Sequence, residues 1–538
     1  VATPFPRPAH VRALAATDLA RRLDGVTLRT VSGAPASDPA VRGVTLDSRS
    51  VRDGDLYAAL PGANVHGARF VAQALAAGAV AVLTDDAGAT LVGDELGPAT
   101  GDLPLLVSPD PRAALGRAAA EVYARPDGTR LDVYGITGTN GKTTTAYLVD
   151  GGLHALGRRT GLVGTVETRI GDERLRSTRT TPEASDLQAL LAVMAERGVE
   201  RCTMEVSSHA LVMHRVDGVV YDVAAFTNLS QDHLDFHGTM EDYFAAKASL
   251  FTPERSRRGV VVVDDAWGRR LAERATVPVT TVSATGADAD WHVRDLGDRA
   301  FLLTDGGGTS LELVCPLPGD FNQVNTAVAA LLLHLGGEDL AEAARAVCED
   351  PHVPGRMERV ETGRPDQPLA VVDFAHTPEA VGAALRALRP QTRGRLVVVL
   401  GAGGDRDPGK RPHMGAAAAA VADLVVVTDD NPRSEDPAAI RGAVAGGISD
   451  ALQDRVRVVA GRSTAIREAV AATSGADDTV VVLGKGHEQG QEIAGLTHPF
   501  DDREELGDAL RERRAGTHPK ERAPHVEPET STPEEATP

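Results

Sequence analysis

The segment Gly138-Thr139-Asn140-Gly141-Lys142-Thr143-Thr144 sits between an apolar run, Leu131 to Ile136, and a helix-like stretch, Thr145 to Leu156. A glycine-rich turn from strand into helix aims backbone N–H groups at one point, where an anion is favoured. Lys142 adds a phosphate-binding cation and Thr143 a hydroxyl that can ligate magnesium, so the segment reads as a nucleoside triphosphate site. The spacing departs from the general P-loop. Ile136 stands where a glycine is expected five places before Gly141, with Gly135 one step further back.

Lysine usage strengthens this reading. Only five lysines occur among the 56 Lys and Arg residues, and four of them (Lys142, Lys247, Lys410 and Lys485) fall in strings rich in glycine, histidine or acids. Lysine is kept where arginine cannot serve, because a compact ammonium that can lose its proton differs chemically from a guanidinium.

A chain of 538 residues exceeds one core and implies two to four domains. The formal charge of -20 excludes a general nucleic-acid binder, so any anionic ligand must be met by local Lys and Arg. Cys202, Cys315 and Cys348 are odd in number and form no CxxC pair, which fits a reducing compartment and no structural zinc. Residues Val1 to Arg12 hold three prolines and no apolar signal region, and no apolar run of about 18 residues follows. A cytoplasmic protein without membrane insertion is expected.

Residues 1–127 read as a first domain, with β-like runs at Gly43 to Leu46 and Asp55 to Leu60, a helical Phe70 to Ala77, a strand at Ala79 to Leu83, and a linker at Pro126-Asp127-Gly128. Over 128–353, apolar runs (Val133 to Ile136, Cys202 to Val206, Val223 to Phe226, Val260 to Val263) alternate with helical stretches, the pattern of a mostly parallel sheet. Over 354–515, the strands Leu396 to Leu400, Leu424 to Thr428 and Val480 to Leu483 each run into a polar string: Gly403 to Asp407, Asp429 to Arg433 and Gly484 to Glu488. Ligands of open α/β sheets bind beyond the carboxyl ends of strands, so the three strings point to one shared site. Residues 516–538, rich in Pro, Thr and Glu, read as a disordered tail.

Glu205 follows a strand and faces the loop, where a further magnesium ligand is expected; the plainer alternative is a solvated strand-end acid. His233, between Asp232 and Asp235, is either functional or part of a helix-capping cluster. Lys247, the lone basic residue of Tyr243 to Phe251, reads on its own as a snorkelling surface lysine.

Together these strings resemble the Mur ligase family from about Leu46 to Glu504. The resemblance rests on Leu46-Asp47-Ser48-Arg49, the glycine-rich loop, Thr180-Thr181-Pro182, Glu205 to His209, Asp232-His233-Leu234-Asp235, Pro354-Gly355-Arg356, Asp373 to Pro378 and the three C-terminal strings. It implies a three-domain α/β architecture: a UDP-sugar-binding domain, a central ATP-binding domain on a P-loop-type mostly parallel sheet, and a Rossmann-like C-terminal domain for the amino acid.

It further implies that Gly138, Thr139, Asn140, Gly141, Lys142, Thr143, Thr144, Asn325, Arg356 and Asp373 contact ATP. Thr143 and Glu205 would hold magnesium, and Lys247, carbamylated by CO2, would hold a second magnesium with His233. Leu46 and Ser48 would touch the UDP moiety, and Thr180, Thr181, Ser207 and Arg215 the muramoyl dipeptide. Arg406, Asp430, Asn431, Pro432, Arg433, Gly484 and Glu488 would bind diaminopimelate.

Met213 and Arg179 depart from residues found in some relatives. The implied reaction is ATP-dependent addition of meso-2,6-diaminopimelate to UDP-MurNAc-L-Ala-D-Glu through an acyl phosphate, by a monomer acting on small molecules. An L-lysine-adding homologue, a folylpolyglutamate-type ligase and a non-catalytic P-loop regulator are the alternatives. Arg433 favours diaminopimelate, because a guanidinium can pair in a bidentate way with the carboxylate that lysine lacks.

Overall fold

The computed structural model describes residues 5–97, 101–124, 131–177, 179–349 and 352–513. The linker at 126–128 and the tail at 516–538 lie outside them. Among the described residues, three sheets of five or more strands follow one another along the chain.

The middle sheet has eleven strands. Its parallel centre runs, in spatial order, Thr160–Val163, Arg201–Glu205, Asp132–Thr137, Val223–Phe226, Gly259–Val262 and Val279–Ser283. Successive members of this set along the chain are joined through at least one helix, the crossover that parallel pairing requires. Alternation sorts the side chains between two cores. On Asp132–Thr137, Tyr134 and Ile136 join the layer packed by the helices Lys142–Ala155 and Asp320–Leu335, while Val133 joins the opposite layer with Leu187, Tyr243 and Leu271. Burying one such side chain contributes roughly 1.5–3 kcal/mol.

Antiparallel ribbons extend both edges of this sheet: Glu167–Ile170 with Glu173–Arg176 on one side, and Trp291–Gly297, Ala300–Asp305 and Ser310–Val314 on the other. The sequence pattern gave no sign of these.

The first sheet orders Thr27–Arg29, Leu105–Val107, Ala79–Thr84, Asp55–Ala58 and Gly43–Thr45, parallel except for Thr27–Arg29. The third orders Glu358–Arg359, Leu369–Asp373, Thr479–Leu483, Leu396–Leu400, Leu424–Val427 and Val456–Val458. Its last five strands are parallel and bury Val397 to Val399, Val425 to Val427 and Val480 to Val482 completely. Such continuous Val-rich strands are those of a Rossmann-like sheet covered on both faces.

Candidate active site

The glycine-rich loop departs from the general spacing: Gly138 stands three places before Gly141, not five. Ile136 is not part of it: it lies within the strand and is fully buried. Gly138 turns the chain at φ 147°, where a Cβ would collide with Thr227 Oγ1. The helix expected from Thr145 begins three residues earlier, at Lys142, so Lys142 to Thr144 form its first turn and leave their N–H groups without intrahelical partners. Lys142 Nζ folds back to donate to the carbonyls of Gly138 and Thr139, both at 2.9 Å. Desolvation holds its ammonium below the ordinary lysine value, partly offset by Glu205.

Glu205 is 1% exposed, which removes the solvated strand-end reading. It accepts from Thr143 Oγ1 at 2.9 Å, from the Thr165 N–H at 2.7 Å and from Thr165 Oγ1 at 3.1 Å. Arg356, brought from the C-terminal region, donates to Thr143 Oγ1 at 3.0 Å and stacks 4.5 Å from the centre of the Phe374 ring. Among the described residues no cluster of three or more His, Cys, Asp or Glu side chains is arranged to hold a metal. The Thr143–Glu205 oxygens instead fit a magnesium ion that takes its other ligands from phosphate and water.

Lys247 is also 1% exposed, on the helix Met240–Ala248, so it does not snorkel. Its Nζ donates to the Gly138 carbonyl at 2.8 Å and lies 4.6 Å from the centre of the Tyr243 ring. Desolvation and the nearby Lys142 charge push it well below the ordinary lysine value. His233 adopts a left-handed φ of 54° at the N-cap of Leu234–His237 but makes no side-chain capping bond. Burial brings its pKa down to about 3, against the pull of Asp232 and with repulsion from His209, Lys142 and Lys247 adding to the shift. Lowered this far, the imidazole is uncharged near neutral pH, the form in which it can ligate a metal.

Asp232 links the central sheet to the C-terminal domain. It lies 3.2 Å from Lys410 Nζ, 3.7 Å from His376 Nε2 and 3.4 Å from His233 Nε2. Burial opposes its ionisation, but the neighbouring His376 and the Lys410 ammonium hold it well below the usual carboxylate range. Beside it, Gln231 Nε2 donates to Asp407 Oδ2 at 3.0 Å.

One cleft collects most of the expected site. From the central sheet it is lined by Thr139 to Thr143, Thr180, Glu205, Ser207, His233 and Lys247; from the C-terminal domain by Arg356, Arg406, Asp430, Asn431, Arg433, Gly484 and Glu488. The three strand-end strings therefore converge as expected. Gly484, at φ 119°, must be glycine because a Cβ would meet Asp430 Oδ2 at 2.4 Å.

Other expected residues stand behind this lining. Gly138 accepts from both lysines, and Thr144 and Pro432 are buried. Asn325 Oδ1 accepts from Thr145 at 3.3 Å, and Asp373 accepts the N–H groups of Met357 and Ala375. Thr181 bridges the Glu205 carbonyl and the Ser207 N–H. Leu46 and Ser48 remain in the first domain away from this lining, with Ser48 Oγ donating to Gln73. Arg215 pairs with Glu183 at 3.0 Å, and Arg112 and Arg179 reach the same carboxylate at 3.5 Å. Met213 Sδ accepts from Arg215.

Sequence reasoning missed Thr165, Tyr243, His376 and Lys410 as parts of the lining. The scarcity of lysine was the signal that could have added Lys410.

Three family models match in chain order: the Mur ligase family catalytic domain over residues 40–123, the Mur ligase middle domain over 136–333, and the Mur ligase glutamate ligase domain over 355–486. The chain is similar to the UDP-N-acetylmuramoyl-L-alanyl-D-glutamate--2,6-diaminopimelate ligase of Streptomyces avermitilis, at 53% identity over 515 residues, covering 94% of this chain and 98% of that one. The protein of the same name from Streptomyces coelicolor is 54% identical over 514 residues, covering 94% and 98%. A solved structure of a ligase of that name aligns with a TM-score of 0.60 at 35% identity, covering 88% of this chain and 95% of that one. The cleft and these matches define the class, an ATP-dependent ligase that forms amide bonds. The chain belongs to the Mur ligase family.

Proposed function

We propose that this chain adds 2,6-diaminopimelate to the D-glutamyl γ-carboxylate of UDP-MurNAc-L-Ala-D-Glu, with ATP converted to ADP and phosphate, in cytoplasmic synthesis of peptidoglycan precursors. The observation that carries this reading is one cleft with two chemically different walls: a phosphate-binding loop on one side, and on the other paired guanidiniums, Arg406 and Arg433, beside the acids Asp430 and Glu488. The identity of 53% over 515 residues to a ligase named for that substrate supports it.

The limits 1–127, 128–353 and 354–515 then mark domains for the UDP-sugar, for ATP and for the amino acid. The convergence of Arg112, Arg179 and Arg215 on the single acid Glu183 leaves net positive charge for an anionic nucleotide-sugar. The chain is read as a monomer acting on small molecules.

The γ-carboxylate attacks the γ-phosphoryl group of ATP, and ADP leaves from the acyl phosphate formed. The amine of diaminopimelate then attacks the acyl carbon and phosphate departs. Two anions meet in the first step. Lys142 and the N–H groups of the helix first turn lower their repulsion, and Arg356 holds Thr143 in place. Thr143 and Glu205 would hold a magnesium ion, which when bound neutralises phosphoryl oxygen charge. Contact between Asp232 and Lys410 keeps the amino-acid wall against the ATP wall, so that the reactants are positioned and water is excluded.

Lys247 would act as a carbamate. Its desolvated amine is suited to add to CO2, forming an N–C bond and releasing a proton, which turns a cation into an anionic oxygen ligand beside His233.

Mass analysis of the product formed from UDP-MurNAc-L-Ala-D-Glu, with diaminopimelate and lysine in competition, tests the reaction; a lysine adduct as main product rejects it. For the carbamate, Lys247→Ala should lose most activity and regain part of it with a small carboxylic acid. Full activity of Lys247→Arg would contradict it.

A further inference from the structure

Lys485 is absent from the cleft lining, yet it is 0% exposed and lies directly behind the amino-acid wall. Its Nζ donates to Asn431 Oδ1 at 2.9 Å and to Glu488 Oε2 at 2.8 Å. An ammonium has no acceptor, so the Asn431 oxygen must face inward. Two further contacts agree: the Glu492 N–H donates to the same oxygen at 3.0 Å, and Asn431 Nδ2 donates to Glu488 Oε2 at 2.8 Å. The amide oxygen thus has both lone pairs engaged, while one N–H remains for a ligand. Glu488 Oε2 accepts from two donors, leaving Oε1 as the oxygen that these groups do not use.

The surroundings hold this arrangement rigid. Arg462, also fully buried, donates to both oxygens of Asp502 at 2.7 Å, to the Leu483 carbonyl at 2.9 Å and to the Asp429 carbonyl at 3.2 Å. Both polar strings that carry Asn431 and Glu488 are therefore tied to one guanidinium.

We infer that Lys485 is a positioning residue for amino-acid selection: it locks Asn431 with a donor offered to a carboxylate and holds Glu488 ready for an ammonium. The pair reads a zwitterionic end of the substrate and disfavours a bare ammonium. This rests on the diaminopimelate reading above. Without Lys485 the amide can turn its oxygen outward, toward the carboxylate it should bind.

The test uses the full chain with ATP, UDP-MurNAc-L-Ala-D-Glu and either diaminopimelate or L-lysine. In Lys485→Met, KM for diaminopimelate should rise about 30-fold while KM for ATP stays within about twofold, and preference over lysine should shrink. Asn431→Asp, which keeps the inward oxygen and lacks the outward donor, should give the same selective rise even if Lys485→Met folds poorly. In an Asn431→Ala background, Lys485→Met should have a clearly smaller effect than in the wild type, because only its contact with Glu488 is then left to lose. Independent, multiplying effects in that double variant, or a parallel rise in KM for ATP, would overturn the inference. So would an unchanged KM for diaminopimelate in either folded single variant. Wild-type preference for lysine would instead remove the underlying substrate reading before any variant is made.

Discussion

The two walls of the cleft treat charge in opposite ways. On the ATP wall, Lys142 and Lys247 donate only to backbone carbonyls and Arg356 to a hydroxyl, with Glu205 and Asp232 the carboxylates near them. On the amino-acid wall four cations have an acid each: Arg462 with Asp502, Lys485 with Glu488, Arg411 with Glu435 and Arg433 with Glu492. On the reading proposed above, a wall that receives a polyphosphate keeps part of its positive charge without a paired acid, and a wall that receives a zwitterion is largely balanced and selects by geometry. The first kind of site trades stability for catalysis, and the second is part of what holds its domain together.

Four changes probe this contrast. The largest effect is expected for Lys142→Ala, which should lower turnover by about a thousandfold or more, roughly 4 kcal/mol of transition-state stabilisation. Thermal unfolding of the same variant should show no loss of stability, because the removed charge has no acid partner; a drop in Tm would break the comparison.

Asp502→Ala, on the other wall, leaves the buried Arg462 with only the longer 3.8 Å pairing to Asp430 and should cost about 3 kcal/mol of stability, read from denaturant unfolding. Near-neutral stability there would mean that the balanced wall is not structural.

Arg433→Ala should cost about 2–4 kcal/mol in kcat/KM for diaminopimelate, by leaving a carboxylate unpaired, and little for lysine. Equal losses for both amino acids would show that Arg433 does not read the distal carboxylate.

The smallest effect belongs to a balanced pair outside both walls, His214 with Asp217 at 2.7 Å. The hydrogen bond to Asp217 raises the His214 pKa above its ordinary value. The stabilisation is therefore complete below about pH 6.5 and is lost as pH rises through the raised folded value. His214→Asn should lower stability by about 0.5 kcal/mol at pH 5.5, given the partial exposure of the pair, and by nothing measurable at pH 9. A larger loss at high pH would reverse the sign assigned to this pair.

The parallel centres of the sheets were legible because a buried strand is a short apolar run, and the loop was legible because phosphate binding needs glycine and lysine at fixed spacing. The start of the helix at Lys142 was not, since three consecutive threonines carry weak helix propensity and packing overrides it. The edge ribbon at Trp291–Gly297 was missed because four of its seven residues are exposed and leave little alternation to read. The burial of Lys247 was hidden because an apolar segment with one lysine looks the same whether the lysine points out or in. The contacts of Asp232 with Lys410 and His376 join residues more than 140 positions apart, which no local pattern encodes.

Three of the four described lysines line the cleft and the fourth braces it, which gives the protein an unusual profile toward covalent reagents. Lys247, Lys410 and Lys485 are each less than 10% exposed, and Lys142 is only partly open. An amine-acylating reagent therefore finds few accessible lysine targets on the described surface, and each lysine it does reach sits at or behind the cleft. Labelling stoichiometry becomes a direct gauge of cleft occupancy: a bound nucleotide should shield Lys142, and protection can be counted by mass without any reporter attached to the ligand.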